Sequence, residues 1–486
     1  MAQYYDTLLG EYIQNPGMKG LSLDKLALKK YNYEMMSYDS MTEKGKINFK
    51  DISLNSAGKY SGEDVLLTYK LYTEQKNKDI TSNKVLLDIE LPTLEVIKKM
   101  EIDGVKIERN KLKGIGLLLD QEIDRLEKSI HTQAGEEFNI KSPKQVGEIL
   151  FGKLALPKGK KTKTGYSVSA DVLGELSHQF PIAQDIVDYR HYTKLQSTYI
   201  DGLLDIADKN DYIHTSYNAA VTTTGRLSST KPNLQNIPSS DGIAGEIRSA
   251  FVSRFEGGKI MASDYSQVEV RLLALMSGDE NLLQAFKDNK DIHHKTAEFL
   301  FPGETITSDC RKVAKAVNFG VIYGISGFGL SKMIGINMKD SKKYIDAFYE
   351  SYPKVKIYFD KLISDCEENG YVETLYGRKR YIPGINDLNN IIKSAAKREA
   401  MNMPIQGTSA DIIKLAMIEI AEFIKKEKLN SLMIMQVHDE LVFDIYPGEE
   451  DFLSENIKKI MESILHDKEI ILKSDVILGE NWRETK

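Results

Sequence analysis

The chain has 486 residues, of which 41% are hydrophobic and 28% are charged, and its formal net charge is −6 at pH 7. One hydrophobic core stops growing at roughly 250–300 residues, so this length predicts several lobes, and the composition excludes a mainly disordered chain. The negative charge argues against a protein that coats nucleic acid by bulk attraction, because such proteins are strongly basic.

Signals for a membrane or for export are not found in the sequence. No run approaches about 18 uninterrupted apolar residues, and residues 1–6 have neither a basic nor an apolar leader. The two cysteines, Cys310 and Cys366, lack metal-site spacing and cannot form a disulfide framework. We therefore expect reduced thiols, no membrane partner and a cytoplasmic location.

The first part of the chain is predicted to be mostly helical. Residues 1–75 show apolar helical periodicity, and the polar residues 75–79 suggest a linker. From residue 85 to 136 apolar residues recur at helical spacing with charged residues between them, which predicts long helices. The apolar positions include Leu112, Ile115, Leu119, Ile123, Leu126 and Ile130.

Residues 141–165 are rich in lysine and contain a single acid, Glu148. The tip near Pro157 and Gly159 is typical of an exposed loop. Its cluster of lysines is a candidate clamp for phosphates, although a merely solvated loop would have the same composition. The lysines are Lys141, Lys144, Lys153, Lys158, Lys160, Lys161 and Lys163.

Two apolar strands in the second half lead to carboxylates. Residues 259–264 end at Asp264, and residues 432–443 read as a hairpin with Asp439 at its turn, while a helical block spans about 280–425. Carboxylates on rigid strands can hold the hard divalent cations of a two-metal site. An isolated pair of acids is more often simply exposed, so this pair alone decides nothing.

The predicted helix at residues 311–324 carries Arg311, Lys315, Phe319 and Tyr323 at intervals of four, which places them on one slowly turning face. Cations can take a triphosphate and aromatic rings can stack on a base or sugar, so this stripe suits a nucleotide. The alternative is that the rings pack in the core and the cations face solvent.

Segments 264–271, 311–324 and 436–441 resemble the three polymerase motifs of family A DNA polymerases, in the family's order. Segments 223–238 and 402–408 are further matches, and ordered long matches are far more specific than one short pattern. The resemblance covers essentially the whole chain. It implies a template-directed DNA polymerase of the α+β class with a right-hand fold, consisting of a palm with an antiparallel sheet, helical fingers and a helical thumb.

The resemblance also implies a division into lobes. The implied parts are an exonuclease-like remnant (1–80), the thumb with a helical lead-in (81–205), the first part of the palm (206–282), the fingers (283–392) and the second part of the palm (393–486). The primer–template DNA and the dNTPs are the implied partners, and a monomer is expected.

By the same resemblance, Asp264 and Asp439 would bind two Mg²⁺ ions, which Mn²⁺ could replace, with help from the backbone carbonyl of Tyr265. Glu440 would be an accessory acid near the primer end, and Lys315 would protonate the leaving pyrophosphate. Glu269 would exclude the ribonucleotide 2′-hydroxyl. The residues implied to bind the nucleotide are Arg311, Lys315, Phe319, Tyr323, His293, Gln267 and Glu269.

A further set matches family positions that contact the primer–template. Donors in the minor groove can check the shape of a base pair without reading its sequence, so we expect sequence-neutral binding. The thumb-tip lysines would contact phosphates and make binding salt-dependent. The implied DNA-binding residues are Arg226, Asn233, Gln235, Arg398, Asn402, Gln406, His438, Lys158, Lys160 and Lys161.

The chain departs from the family at its amino-terminal segment, which resembles only the latter part of the 3′–5′ exonuclease domain. Tyr60 and Asp64 match that domain's last motif, and one aspartate cannot organise two cations, so we expect no proofreading. The rival functions are a non-catalytic DNA-binding remnant, a single-subunit RNA polymerase and an exonuclease. Glu269 and segment 223–238 favour DNA synthesis.

Overall fold

A computed structural model describes residues 4–18, 20–157, 161–162, 165–239, 241–465 and 470–486. The predicted phosphate contacts Lys158 and Lys160 lie outside these residues. Helices surround one four-stranded antiparallel sheet, which confirms the α+β class. Among the described residues, no helix combines the length and the apolar character needed to cross a membrane.

The first third is helical, as the periodicity predicts. Helix α6 buries Leu112, Leu119 and Leu126 on one stripe, and the helix ends at Gly135, whose left-handed conformation (φ +72°) suits glycine. The predicted linker at 75–79 is shorter than expected, because α4 continues to Asn77. The helices are α1 (Thr7–Gln14), α2 (Leu23–Tyr31), α3 (Tyr38–Met41), α4 (Leu54–Asn77), α5 (Leu91–Asp103) and α6 (Arg109–Ala134).

A separate apolar cluster lies within residues 126–189. The lysine-rich segment enters this cluster and is not a continuous loop: Ser142 caps a helix with Pro143 in its first turn, and apolar Ile149 and Phe151 are buried behind it. The elements here are α7 (Pro143–Gly147), β2 (Lys161–Thr162), β3 (Gly165–Tyr166), α8 (Ala170–Ser177), α9 (Pro181–Leu195) and α10 (Gly202–Ile206).

The central sheet has the strand order β10 (Leu432–Val437), β11 (Glu440–Ile445), β7 (Lys259–Tyr265), β12 (Ser474–Gly479), all antiparallel. Strand β7 is buried on both faces, with Ile260 and Ala262 in one apolar cluster and Met261 and Tyr265 in another. Because successive residues of a strand point to opposite faces, this fixes which face carries Asp264.

Helices fill most of the segment between β7 and β10. The long helix α19 accommodates Pro404 in its interior and runs across the predicted boundary at residue 392. The helices are α12 (Val268–Ser277), α13 (Glu280–Lys287), α14 (Ile292–Leu300), α15 (Ser308–Ile322), α16 (Gly327–Ile334), α17 (Met338–Ser351), α18 (Pro353–Asn369) and α19 (Asn390–Glu427). The short helix α11 (Ile243–Glu246) precedes β7, and α20 (Glu450–Ser463) follows the hairpin.

The remaining elements are short. The two-stranded pairs are β1 (Val105–Lys106) with β4 (Tyr212–Ile213), β2 with β3, β5 (Ser216–Asn218) with β6 (Ser228–Thr230), and β8 (Tyr371–Glu373) with β9 (Lys379–Tyr381). The 3₁₀ turns are Phe49–Asp51, Ile80–Ser82, Leu234–Asn236, Ile247–Ala250 and Trp482–Thr485, and the π-helical turns are Val85–Glu90, Glu148–Lys153 and Gln196–Asp201.

Candidate active site

The carboxylates predicted from the two apolar strands meet at one edge of the central sheet. Asp264 lies directly opposite Glu440 on β11 and opposite Asp475 on β12, so the three side chains project from the same face. The backbone N–H of Tyr265 donates to the carbonyl of Asp439 at 3.2 Å. This contact joins the end of β7 to the turn of the β10–β11 hairpin and brings both predicted metal ligands together.

Negative charge is in excess at this edge. Asp264 keeps a solvent-exposed face, yet the protein atoms around it partly desolvate the carboxyl. This desolvation, together with Glu440 and Asp439, raises the pKa of Asp264 to about 6, against a smaller opposing effect of Lys486. A bound cation would relieve this repulsion, so the electrostatics fit a metal site.

The donor set fits Mg²⁺ in particular. Within the described ranges no three His, Cys, Asp or Glu side chains converge into a complete metal cage. Mg²⁺ is usually held by one or two carboxylates, with waters and substrate phosphates completing the octahedron. Asp264, Asp439 and the backbone carbonyl of Tyr265 would supply such an incomplete set.

Glu440 is held from the carboxyl-terminal segment. Its side chain is buried, and one carboxylate oxygen accepts a hydrogen bond from the indole of Trp482 at 2.8 Å. The other oxygen lies 3.3 Å from the ammonium of Lys486 and 4.0 Å from Arg248, whose guanidinium stacks 3.9 Å from the Trp482 ring. The sequence interpretation missed these three partners; that Trp482 is the only tryptophan of the chain was the available signal.

A chain of polar contacts runs from the carboxylates to the predicted nucleotide helix. The Arg226 guanidinium donates to Glu269 at 2.7 Å and lies 3.9 Å from the carboxylate of Asp439. The second Glu269 oxygen accepts from the hydroxyl of Tyr323 at 2.8 Å. Burial raises the pKa of Glu269, although Arg226 and Tyr323 oppose the shift. Residues that are distant in sequence thereby form one continuous surface with Asp439.

The cation–aromatic stripe lies on the accessible side of α15. Arg311 and Lys315 are exposed, Phe319 is half-buried and Tyr323, which caps the helix, is exposed, whereas Val317 and Val321 fill the core. The alternative of a mere packing stripe is therefore disfavoured. Gln267, the residue before α12, is partly buried and left-handed (φ 55°).

His293 lies beneath this stripe. Its ring is only 2% exposed, its Nδ1 is 2.9 Å from the amide nitrogen of Asn318, and it packs 5.7 Å from the Phe319 ring. Burial lowers the pKa of His293 to about 4, so the imidazole is neutral at pH 7. Its predicted contact with a triphosphate stays a prediction. Asp291, which accepts from Arg311 at 2.6 Å, was missed.

Several predicted DNA contacts lie next to the carboxylates. The Gln235 amide donates to the Gln436 side chain at 3.0 Å, and Gln436 donates to the carbonyl of His438. Arg398 packs beside Gly324, one residue after Tyr323. Asn402 and Gln406 are half-buried on α19, and Asn233 caps the turn that carries Gln235. Lys161 is exposed on β2.

Comparison with known proteins gives a consistent result. The family described as DNA polymerase family A matches residues 109–484. DNA polymerase I of Bacillus subtilis (strain 168) is 43% identical over 489 residues, which cover 99% of this chain and 55% of that protein. DNA polymerase I of Pseudomonas aeruginosa is 40% identical over 491 residues, covering 99% and 54%. The chain thus spans about half the length of the curated relatives it matches.

A solved structure shares the fold. It is described as the POL domain of Pol1 from M. smegmatis in complex with DNA primer-template and dNTP. The two chains superpose with a TM-score of 0.86 at 32% sequence identity, over 99% of this chain and 82% of that one. The right-hand arrangement expected from the motifs is therefore confirmed.

Proposed function

This chain belongs to DNA polymerase family A, and from that premise we propose that it extends the 3′ end of a DNA primer by template-directed addition of dNTPs. The observation that carries the proposal is the contact between the ends of β7 and the β10–β11 hairpin, where Asp264 and Asp439 meet. The M. smegmatis relative, described in complex with primer-template and dNTP, supports the same partners.

We propose that Asp264, Asp439 and the Tyr265 carbonyl hold two divalent cations, Mg²⁺ or, as a substitute, Mn²⁺. Such ions lower the pKa of an attacking hydroxyl and neutralise charge on the triphosphate and leaving group. The 3′-hydroxyl of the primer loses its proton to water, its oxygen forms a bond to the α-phosphorus, and the bond between that phosphorus and the pyrophosphate breaks. Glu440, fixed by Trp482, lies beside Asp264 where it can help to orient the primer end.

The exposed stripe on α15 supports the nucleotide assignments. Arg311 and Lys315 hold the triphosphate, and Lys315 gives a proton to the departing pyrophosphate. Phe319 and Tyr323 flank the sugar and base, and Glu269 occupies the space that a 2′-hydroxyl would need. Glu269 is suited to this role because Arg226 and Tyr323 fix both of its oxygens.

The lobe boundaries remain proposals. The separate apolar cluster within residues 126–189 supports an independent thumb. The proposed boundaries between palm and fingers, at residues 282 and 392, fall inside α13 and α19, so both boundaries divide continuous helices. The monomeric state and cytoplasmic location likewise stay predictions.

Lack of proofreading is part of the proposal. Tyr60 and Asp64 lie on α4 and line a cavity of about 450 Å³ together with Asp24 and Glu34. Of these acids, only Asp64 matches an exonuclease motif, and the proposed loss of activity rests on this single matching aspartate, which cannot organise two cations.

The test is extension of a 5′-labelled primer on a longer template with Mg²⁺ and the four dNTPs. Parallel lanes contain rNTPs, no nucleotides, and the Asp439→Ala variant. Template-length product with dNTPs that is lost in the variant supports the polymerase, and a stable primer without nucleotides supports the absence of exonuclease. Preferred use of rNTPs would indicate an RNA polymerase, and binding without extension would indicate a non-catalytic remnant.

A further inference from the structure

A cluster of four charged side chains, which we call the buried quartet, lies outside the proposed chemistry. Glu90, Arg378, Asp411 and Lys414 are each 0–1% exposed. Arg378 contacts Glu90 at 2.5 Å and Asp411 at 2.6 Å, and Lys414 contacts Glu90 at 2.7 Å. The two acids and two bases balance, so the quartet needs no outside ion.

Burying such a set is costly, and apolar side chains of similar size often stabilise a fold as well. The quartet therefore calls for a role other than stability. It draws together the turn before α5, the connection from β8 to β9, and α19. Asp411 also accepts from the hydroxyl of Thr374 at 2.8 Å, which fixes the carboxylate that orients Arg378.

The guanidinium of Arg378 forms a platform for a second loop, residues 222–226. Gly225 in this loop has φ +87°, and a Cβ at this position would lie 2.8 Å from Nε and 2.9 Å from Cζ of Arg378. Only glycine permits both this left-handed conformation and this close approach. The loop thus rests directly on a side chain that the quartet holds in place.

The amino-terminal segment fixes the same loop from another side. The hydroxyl of Tyr12, on α1, donates to the carbonyl of Thr222 at 2.9 Å, and the Thr222 hydroxyl donates to the carbonyl of Arg226 at 2.7 Å. Tyr12 is fully buried. Hydrogen bonds therefore fix the backbone at both ends of the loop, including that of Arg226, whose guanidinium contacts Glu269.

We propose that Arg378, supported by the buried quartet and by Tyr12, is a positioning residue for sugar selection. It acts through Gly225 on Arg226 and so on Glu269. This inference rests on the proposed function, in which Glu269 excludes the 2′-hydroxyl. A displacement of the loop by a fraction of an ångström would alter the Arg226–Glu269 contact and weaken the exclusion of the 2′-hydroxyl by Glu269. Functional sites require side-chain positions within about 0.5 Å of the productive geometry.

The test compares kcat/KM for dNTP and rNTP incorporation in three variants, below the melting temperature of each. Arg378→Lys keeps the charge but loses the planar platform, Gly225→Ala forces the loop away, and Tyr12→Phe removes a single hydrogen bond. The dNTP to rNTP ratio should fall about tenfold in the first two and roughly threefold in the third, as expected for weakening one or two hydrogen bonds.

The matched control is Arg254→Lys, which alters the pair between the partly buried Arg254 and the buried Asp444 (2.7 Å), away from the loop. Its ratio should equal that of the unmodified chain. If Arg378→Lys or Gly225→Ala fails to fold, Tyr12→Phe decides. An unchanged ratio in the folded variants overturns the inference while leaving the polymerase intact, whereas an unmodified chain that extends no primer overturns the proposed function itself.

Discussion

The edge of the central sheet and the buried quartet both gather carboxylates, but they balance the charge in different ways. In the quartet, burial alone would raise the pKa of Glu90, but Lys414 and Arg378 outweigh burial, so the pKa is lowered. At the sheet edge, partial desolvation, Glu440 and Asp439 raise the pKa of Asp264 to about 6, and Lys486 offsets little. Cationic side chains balance the carboxylates of the quartet, whereas most of the negative charge at the sheet edge is left unbalanced.

This difference separates a charge-balanced cluster from a reactive one. A carboxylate with a cation of its own is electrostatically satisfied and needs no ligand. A carboxylate crowded by other carboxylates is a functional candidate, because a bound cation would lower its free energy. Glu269 lies between the two, with Arg226 as a cationic partner and a pKa that remains raised.

The largest expected effect is at the sheet edge. Asp439→Ala should lower primer extension by more than about a thousandfold, because it removes a proposed metal ligand in the reacting complex. Primer–template binding should change little. Extension rates and fluorescence anisotropy with labelled DNA measure the two quantities.

The control for this prediction is Glu455→Ala, which removes an exposed acid paired with Lys459 on α20. Its extension rate should be unaffected. Near-normal extension by Asp439→Ala would show that the sheet edge is not the reactive cluster, and the contrast with the quartet would lose its functional meaning.

Substitution within the quartet should lower the stability of the fold. Arg378→Met leaves Glu90 and Asp411 to share Lys414 and should lower the free energy of unfolding by about 3–5 kcal/mol, the usual cost of breaking a buried ion pair. Urea denaturation followed by circular dichroism measures it. Lys312→Met, in an exposed pair with Asp309, should change stability by less than about 0.5 kcal/mol. Equal losses of unfolding free energy in both variants would contradict the description of the quartet as a buried, charge-balanced cluster.

The raised pKa of Asp264 predicts a pH dependence of metal binding. The carboxyl must lose its proton to bind a cation, so below pH about 6 the dissociation constant for Mn²⁺ should rise about tenfold per pH unit, and above it should level off. Electron paramagnetic resonance of free Mn²⁺ measures binding without turnover.

The sign for stability is opposite to that of a typical salt-bridged acid. Because the folded pKa of Asp264 exceeds its ordinary value, the metal-free protein loses stability as the pH rises from about 4 to about 6. Asp264→Asn should flatten both profiles. Profiles that Asp264→Asn leaves unchanged would assign the titration to another group.

The sequence predicted the sheet edge well and the quartet not at all. Asp264 and Asp439 each follow an apolar run that can be recognised from neighbouring residues, and the motif resemblance predicted that the two carboxylates share one site. The quartet joins Glu90 to Lys414 across most of the chain, and a charged residue is usually exposed, so a local reading of the sequence assigns each member to the surface.

Other parts of the site depend on packing that local patterns do not record. His293 follows a helix cap in the sequence, and its burial under Phe319 arises only where α14 meets α15. The lysine-rich stretch is partly helical ahead of its predicted loop tip, because Ser142 and Pro143 form a helix start. Trp482 and Glu440 meet because β12 returns the chain to β7.

The smallest predicted effect concerns Glu269, the intermediate case. Glu269→Ala removes a carboxylate that is fixed by Arg226 and Tyr323 but is not a proposed metal ligand. The dNTP extension rate should fall by less than about tenfold, while rNTP incorporation should rise on the order of tenfold, because space opens at the 2′ position. Single-nucleotide incorporation assays measure both, with Glu269→Gln, which retains the volume, as the control. If Glu269→Ala instead abolished extension, as Asp439→Ala should, Glu269 would belong with the metal ligands. Its intermediate position between carboxylates that are balanced by a cation and carboxylates that are not would then be wrong.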